Sequence, residues 1–426
     1  MIVVMGYGRS GRAVAAHLSR IGARGIITES KPMPDAPRYP GMRYVFGEHS
    51  LDLLDRASMV VVSPGVPWDH AFLREARRRG IATVSDVEWA GLQLKGRKIG
   101  VTGSNGKSTT TRMLTSILRT AGFVAEEAAN AGTPLASFLG GQELQWYVLE
   151  LSSFQLEGMR MPLLDAGVLL NITPDHLDRH PSLEAYAGLK RHIFDLLLPG
   201  APAVVPLALE VDRKVFRFGR GAAEGLDVTD RTLRYHAEPI LQRDDFPLKG
   251  DHNWMNAAAA ALTALELHVP ADAVRRALSG FVGLEHRMEV VPSTDGFLYI
   301  NDSKGTNVDA VLAALTGAPV GRTLLILGGK DKGGDFTVLK DPIARVCKTV
   351  FCIGQAGSSI YAQLEGLVVP RFCVSALSDV FDHIKKAGRP GDCVLLSPGC
   401  ASFDQYANFE ERGLHFKALV KACPGN

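Results

Sequence analysis

The chain has 426 residues, 46% of them hydrophobic and 22% charged, with Lys+Arg 47 against Asp+Glu 45. This composition excludes a disordered polymer, and a net charge of +2 supplies no global basic field for nucleic acid, although a local anion site is compatible with it. At roughly 150 residues per domain, the length suggests about three domains.

Residues 1–6 read as an apolar strand that runs straight into a glycine turn. They lack a charged n-region, so the expectation is a mature start and not a signal peptide. No apolar run approaches the ~18 residues of a membrane span. Further strands are predicted at 25–28, 44–46, 59–62 and 82–84, with a helix over 12–21 in which Val14, Leu18 and Ile21 recur at helical spacing. The turn Gly6-Tyr7-Gly8-Arg9-Ser10-Gly11 matches GxGxxG, and Glu29 follows the second strand. A diphosphate can lie over such a turn, but the pattern does not choose NAD over another nucleotide diphosphate, and a tight turn without ligand is its plain alternative.

The polar segment 93–97 marks a first boundary and Glu285 a second, giving domains 1–93, 94–285 and 286–426. In the middle one, strands are predicted at 98–101, 146–149 and 168–171, and helices at 108–120 and 255–267, the latter rich in alanine. The stretch 213–243 shows little helical period and reads as loop and short strands inserted there. The sharpest motif is Val101-Thr102-Gly103-Ser104-Asn105-Gly106-Lys107-Ser108-Thr109, between a strand and a helix. Its glycines let successive N–H groups turn toward phosphate oxygens, and the helix N-terminus adds positive partial charge. Lys107 suits the β- and γ-phosphates, and Ser108 or Thr109 suits Mg²⁺, although the spacing is not that of the standard P-loop.

Glu150 ends the strand before Leu151-Ser152-Ser153-Phe154-Gln155. A carboxylate there is costly unless paired or metal-bound, which makes it a candidate Mg²⁺ ligand. Asn171-Ile172-Thr173-Pro174-Asp175-His176 follows another apolar strand. His176 could ligate metal or bond phosphate, and a lone histidine in a polar loop is usually neither. Lys190, taken alone, reads as a solvated face of a helix.

The last third has predicted strands at 297–300, 323–327, 350–353 and 393–396. Three polar segments follow such strands: Asn301-Asp302-Ser303-Lys304-Gly305-Thr306-Asn307, Gly328-Gly329-Lys330-Asp331-Lys332-Gly333 and Ser397-Pro398-Gly399-Cys400-Ala401-Ser402-Phe403. Together they put donors and cations on one rim, which suits an anionic substrate. All six cysteines lie in this last part and none forms CxxC, so buried free thiols in a reducing cytosol are expected. Strands alternating with helices throughout predict parallel sheets covered by helices, three times over.

Along its full length the chain resembles the ATP-dependent Mur ligases of peptidoglycan synthesis. The marks are the phosphate loop, Glu150 through Leu156, Asn171 through His176, Gly250-Asp251-His252-Asn253-Trp254-Met255-Asn256, His286-Arg287, Asn301 through Asn307, and Leu396 through Ser402. The resemblance implies an α/β protein of three domains. They are an N-terminal Rossmann-like domain for a UDP substrate, a central P-loop-type ATP-binding sheet, and a C-terminal Rossmann-like domain for the amino acid. It implies that Ser10, Glu29, Ser30, Lys31, Ser63 and Gly65 approach the UDP, with Asn130, Ser152 and Gln155 nearer the muramoyl part. Gly103, Ser104, Asn105, Gly106 and Lys107 would hold ATP phosphates, with Asn256 on the adenine side and Arg287 and Asp302 at phosphates and ribose. Ser108, Thr109 and Glu150 would serve a first Mg²⁺, and His176 with Lys190 as a carbamate a second. Thr306, Lys332, Ser402, Phe403 and Phe409 would hold the incoming amino acid. The implied reaction is addition of D-glutamate to UDP-N-acetylmuramoyl-L-alanine through an acyl phosphate. The implied setting is a cytoplasmic monomer with no nucleic acid and no membrane insertion. Two departures stand out: Glu285 replaces the usual proline before His-Arg, and Lys330 competes with Lys332 for the amino acid. Alternatives are another Mur-type or folylpolyglutamate-type ligase, an NAD-dependent oxidoreductase, and a nucleotide-binding regulator without catalysis.

Overall fold

The computed structural model describes residues 1–130, 132–176 and 179–423. Its strands form three sheets of five, nine and six members.

The first sheet holds β1 (Ile2–Met5), β2 (Gly25–Glu29), β3 (Met42–Phe46), β4 (Met59–Val62) and β5 (Ala82–Ser85), all parallel in the order β3-β2-β1-β4-β5. The order reverses beside β1, so the loops leaving β1 and β4 diverge and open a crevice at their carboxyl ends. The first helix, Arg9–Arg20, starts earlier than its apolar spacing suggests, because the glycine turn feeds directly into it.

The second sheet is built on β6 (Arg97–Thr102), β7 (Ala125–Ala129), β8 (Trp146–Glu150), β9 (Ala166–Leu169) and β10 (Ala203–Pro206). It continues through β11 (Phe216–Gly219), β12 (Gly225–Val228), β13 (Thr232–Tyr235) and β14 (Glu238–Gln242), in the order β14-β13-β12-β11-β10-β9-β6-β8-β7. The stretch 213–243 is therefore no insertion but the sheet's own extension. Its strands of four or five residues pair in succession: β11 is parallel to β10 and to β12, and β13 runs antiparallel to both β12 and β14. The Thr229 hydroxyl accepts N–H bonds from Arg231 and Thr232 and closes the β12–β13 turn. The helix Asp251–Glu266 carries Ala257 through Ala261, all fully buried; five small side chains in a row let neighbours approach on every side.

The third sheet holds β15 (Glu289–Val291), β16 (Leu298–Asn301), β17 (Thr323–Gly328), β18 (Cys347–Ile353), β19 (Arg371–Cys373) and β20 (Cys393–Leu396), ordered β15-β16-β20-β17-β18-β19. Its edge strand β15 is antiparallel, so the expectation of purely parallel sheets fails at one margin here and at one margin of the second sheet. The strands β16, β20 and β17 are parallel neighbours, which places the three polar segments of this region side by side. All six cysteines are free; four are buried, while Cys373 is exposed, against expectation.

The chain divides into two compact units. One comprises Met1–Ile172, Glu184–Pro247 and Met255–Phe281; the other comprises Thr173–Leu183, Leu248–Trp254 and Val282–Asn426. No helix among the described residues is long and apolar enough to cross a membrane.

Candidate active site

In the first unit, a cavity of about 710 Å³ lies over the crevice beside β1. Ser10, Glu29, Ser30, Lys31, Ser63 and Gly65 all line it, so the structure brings this set together. Glu29 accepts the Tyr7 N–H at 2.9 Å, the Ser30 hydroxyl at 3.0 Å and the Lys31 N–H at 3.4 Å. Burial alone would raise its carboxyl, but these donors outweigh burial and hold it below the usual range, hence ionised. Three residues here escaped the sequence reading. His49 and His70 also line the cavity, and the His70 Nδ1 accepts the Phe72 N–H at 3.2 Å, capping the helix Ala71–Arg78. Asp86 is fully buried, and burial pushes its carboxyl up to about 6 against a hydrogen bond with Ser10. Single residues in polar turns carry no periodicity that would have revealed them.

Asn130, Ser152 and Gln155 are not among the residues lining that cavity. Ser152 and Gln155 form a reciprocal capping box on the helix Ser153–Leu156, and Asn130 donates to Glu150 Oε1 at 2.6 Å.

The phosphate loop leaves β6 and enters the helix Lys107–Thr120 through Gly106, whose φ of 86° is left-handed. A Cβ on Gly106 would drive into the Asn256 side chain, so glycine is required twice over. Asn171, at the end of the adjacent β9, braces the loop: it accepts the Asn105 N–H at 2.8 Å and donates to the Asn105 carbonyl at 3.0 Å. Lys107 curls over the loop and donates to the Gly103 and Ser104 carbonyls at 2.8 and 2.7 Å. On the other side, Glu150 pairs in register with Val101, so its buried carboxylate stands beside the root of the loop. The Thr109 hydroxyl is buried and meets no hydrogen-bond partner among the described residues. A hydroxyl and a carboxylate, both hard oxygen donors, fit a divalent cation such as Mg²⁺.

Lys190 is no solvated face residue. It is buried on the helix Leu183–Arg191, its Nζ donates to Thr102 Oγ1 at 3.3 Å, and it lies 4.9 Å from the Tyr186 ring centroid. Thr102 is the residue from which the loop departs.

In the second unit, Asp302 opens the turn after β16. It is buried and accepts the Ser397 hydroxyl at 2.8 Å and the Met288 N–H at 3.3 Å. Burial lifts its carboxyl to about 6, with Ser397 and Arg287 pulling the other way. A cavity of about 350 Å³ is lined by His176, Thr306 and Lys332, among others. The Lys332 ammonium lies 3.5 Å from Asp175 Oδ1, and Asn307 donates to Asp175 Oδ2 at 3.2 Å. Lys330 instead pairs its backbone with Ala401 and does not line this cavity. Ser402, Phe403 and Phe409 do not line it either. The Ser402 hydroxyl is buried without a partner among the described residues, Phe403 is 68% exposed, and Phe409 carries the Lys304 ammonium over its ring at 3.8 Å. Leu177 and Asp178, next to His176, lie outside the described residues. His176 falls in the second unit and Lys190 in the first.

The C-terminal helix Phe409–Lys421 frames these turns. Its buried Arg412 donates to the Ser303 and Cys400 carbonyls at 2.8 and 3.1 Å, and its Gly413 lies against the His286 ring. A Cβ at Gly413 would enter that ring. Gly413→Ala is expected to cost about 1–3 kcal/mol by overpacking, read as a lower urea midpoint.

Three family models match the chain: the Mur ligase MurD-like N-terminal domain over residues 1–85, the Mur ligase middle domain over 101–264, and the Mur ligase glutamate ligase domain over 286–400. UDP-N-acetylmuramoylalanine–D-glutamate ligase of Acidobacterium capsulatum is 39% identical over 100% of this chain and 96% of its own length. The same-named protein of Solibacter usitatus is 37% identical over 98% of this chain and 97% of its own. Among solved structures, MurF of Thermotoga maritima in complex with ADP aligns with a TM-score of 0.64 at 16% identity, covering 98% of this chain and 94% of that one. MurC of the same organism gives 0.63 at 17% identity, covering 97% of each. These last two likenesses concern the fold.

Proposed function

The chain belongs to the Mur ligase family, and from that premise we propose that it is the ATP-dependent ligase that joins D-glutamate to UDP-N-acetylmuramoyl-L-alanine in peptidoglycan precursor synthesis. The observation that carries the reading is the phosphate loop with Lys107, Thr109 and Glu150 gathered at neighbouring strand ends.

A carboxylate is a poor electrophile. Its oxygen attacks the γ-phosphorus of ATP, the bond to the β-bridging oxygen breaks, and an acyl phosphate and ADP result. The neutral D-glutamate amine then adds to the carbonyl carbon, its nitrogen gives up a proton, and the tetrahedral intermediate expels phosphate to leave the amide. The protein's work is to neutralise charge, align the reacting atoms and exclude water. The loop over residues 103–106 and the N-terminus of the helix behind it receive phosphate oxygens. Lys107 exchanges its loop carbonyls for the β- and γ-phosphates. Asn256, Arg287 and Asp302 serve the rest of the nucleotide. Ser108, Thr109 and Glu150 would hold one Mg²⁺, and His176 with a carbamylated Lys190 a second. When bound, these ions supply charge neutralisation and orient the phosphates.

The 710 Å³ cavity takes the UDP end of the substrate, through Ser10, Glu29, Ser30, Lys31, Ser63 and Gly65. Asn130, Ser152 and Gln155 serve the muramoyl part. The 350 Å³ cavity takes D-glutamate, where Lys332 pairs with a carboxylate and Thr306 donates to it; Ser402, Phe403 and Phe409, outside its lining, are further candidates for contact with the amino acid. Domains 1–93, 94–285 and 286–426 divide this labour in a cytoplasmic monomer that binds no nucleic acid.

The test is phosphate release with ATP and UDP-N-acetylmuramoyl-L-alanine, screened over D- and L-amino acids. Release that depends on D-glutamate supports the reading; hydride transfer with NAD in its place would reverse it. Glu29→Ala is expected to raise the KM for the nucleotide sugar about tenfold or more by removing a charge-assisted acceptor, and to leave the KM for ATP unchanged. Equal effects in steady-state kinetics would mean that the first cavity is misassigned.

A further inference from the structure

On the second unit, residues 285–289 form a turn that needs holding. His286 and Met288 have φ of 62° and 47°, left-handed values that residues with side chains keep only when their surroundings impose them. Arg287 stands between them. Glu289 accepts the His286 N–H at 2.9 Å and the Asn301 amide at 3.2 Å, which ties the turn to the end of β16. Asn301 also donates to His286 Nδ1 at 2.9 Å.

This arrangement crowds two carboxylates. Oxygens of Glu285 and Glu289 and a ring nitrogen of His286 lie within 4.8 Å of one another. Burial holds the His286 imidazole below its ordinary value, so it supplies no compensating charge near neutral pH. The compensation comes from Lys417, whose ammonium lies 2.7 Å from Glu285 and 2.6 Å from Glu289. That contact holds the Glu285 carboxyl below the usual range. Lys417 is one helical turn past Gly413, the residue whose missing side chain admits the His286 ring, so one face of the C-terminal helix both seats the turn and neutralises it.

We infer that Lys417 is a positioning residue: by joining Glu285 to Glu289 it fixes the turn that presents Arg287. Without it the two carboxylates are neither joined nor neutralised, Glu289 is freed from the His286 N–H, and the left-handed turn relaxes. The inference rests on the reading that Arg287 meets ATP.

The test compares Lys417→Met, Lys417→Arg, Glu285→Gln and Arg287→Ala in the full-length protein, by steady-state kinetics and thermal melting. Lys417→Met is expected to raise the KM for ATP about fivefold, as loss of a modest ion-pair network would, with the nucleotide-sugar KM and the melting midpoint nearly unchanged. Lys417→Arg restores the wild-type value. Raising KCl to about 0.5 M is expected to raise the ATP KM of the wild type more steeply than that of Lys417→Met. Should Lys417→Met not fold, Glu285→Gln carries the test with a smaller shift in the same direction. An unchanged ATP KM in Lys417→Met beside an impaired Arg287→Ala overturns the inference. A uniform loss in every constant together with a lowered melting midpoint makes the network merely structural and also overturns it. An Arg287→Ala protein with normal ATP kinetics overturns the reading of Arg287, and the inference with it.

Discussion

Lys107→Ala is expected to lower kcat by about 10³-fold or more, because it removes the main protein cation at the transferring phosphoryl group. The geometry separates this from a folding defect. Lys107 opens the helix Lys107–Thr120, and its ammonium donates to the loop carbonyls of Gly103 and Ser104. Alanine keeps the helix start, since its propensity is the highest of all residues. The loop retains its brace from Asn171 and its close fit at Gly106. The variant should therefore melt within a few degrees of the wild type and still bind the nucleotide sugar, for which we propose the cavity over the first sheet. Lys107→Arg should recover little, since a planar fork does not replace a compact ammonium over a tight glycine turn. Stopped-flow or steady-state phosphate release at saturating ATP measures the effect. Near-normal turnover would refute the assignment of the loop.

The phosphate loop was legible because its chemistry is local: glycines, a lysine and hydroxyls within nine residues, between a strand and a helix. Glu150 and Asn171 were legible for a related reason, since apolar strands that end in a polar residue announce where a parallel sheet presents its ligands. Less could be seen where the cause is a long-range contact. Nothing around Lys190 shows that its helix packs against the strand end at Thr102, so the plain reading made it a surface residue, and only the family resemblance placed it at the site. Asp86, beneath Ser10, and Lys417, beside Glu285, depend on partners 76 and 132 residues away in sequence. The stretch 213–243 reads in sequence as loop and short strands inserted in the middle domain, but pairing register is a property of two segments together, so its union with the central sheet stays hidden. The choice between Lys330 and Lys332 was likewise open in sequence. The backbone pairing of Lys330 with Ala401 leaves Lys332, two residues on, to line the cavity with Thr306.

Lys190→Ala is expected to reduce turnover by about 10²–10³-fold, and added formate or acetate is expected to restore part of it. Lys190 is buried, with the Thr102 hydroxyl at 3.3 Å and the face of Tyr186 among its neighbours, at the strand end from which the phosphate loop departs. Reaction of the neutral amine with CO₂ forms an N–C bond and releases a proton. The product is a carbamate, which replaces the cation with a single negative charge shared by two oxygens at the same depth. Beside the root of a phosphate loop, such a group is a hard ligand for Mg²⁺, while an ammonium would repel it. A small carboxylic acid diffusing into the space left by Lys190→Ala supplies the same oxygens without the tether. Two further readouts distinguish the carbamate from a plain lysine. Wild-type activity should fall in CO₂-depleted buffer and return with bicarbonate, and Lys190→Ala should respond to neither. Lys190→Arg should stay inactive, because it keeps the positive charge and forms no carbamate. If carboxylic acids fail to rescue and CO₂ has no effect on the wild type, Lys190 acts as an ammonium through Thr102, and the second Mg²⁺ loses that ligand.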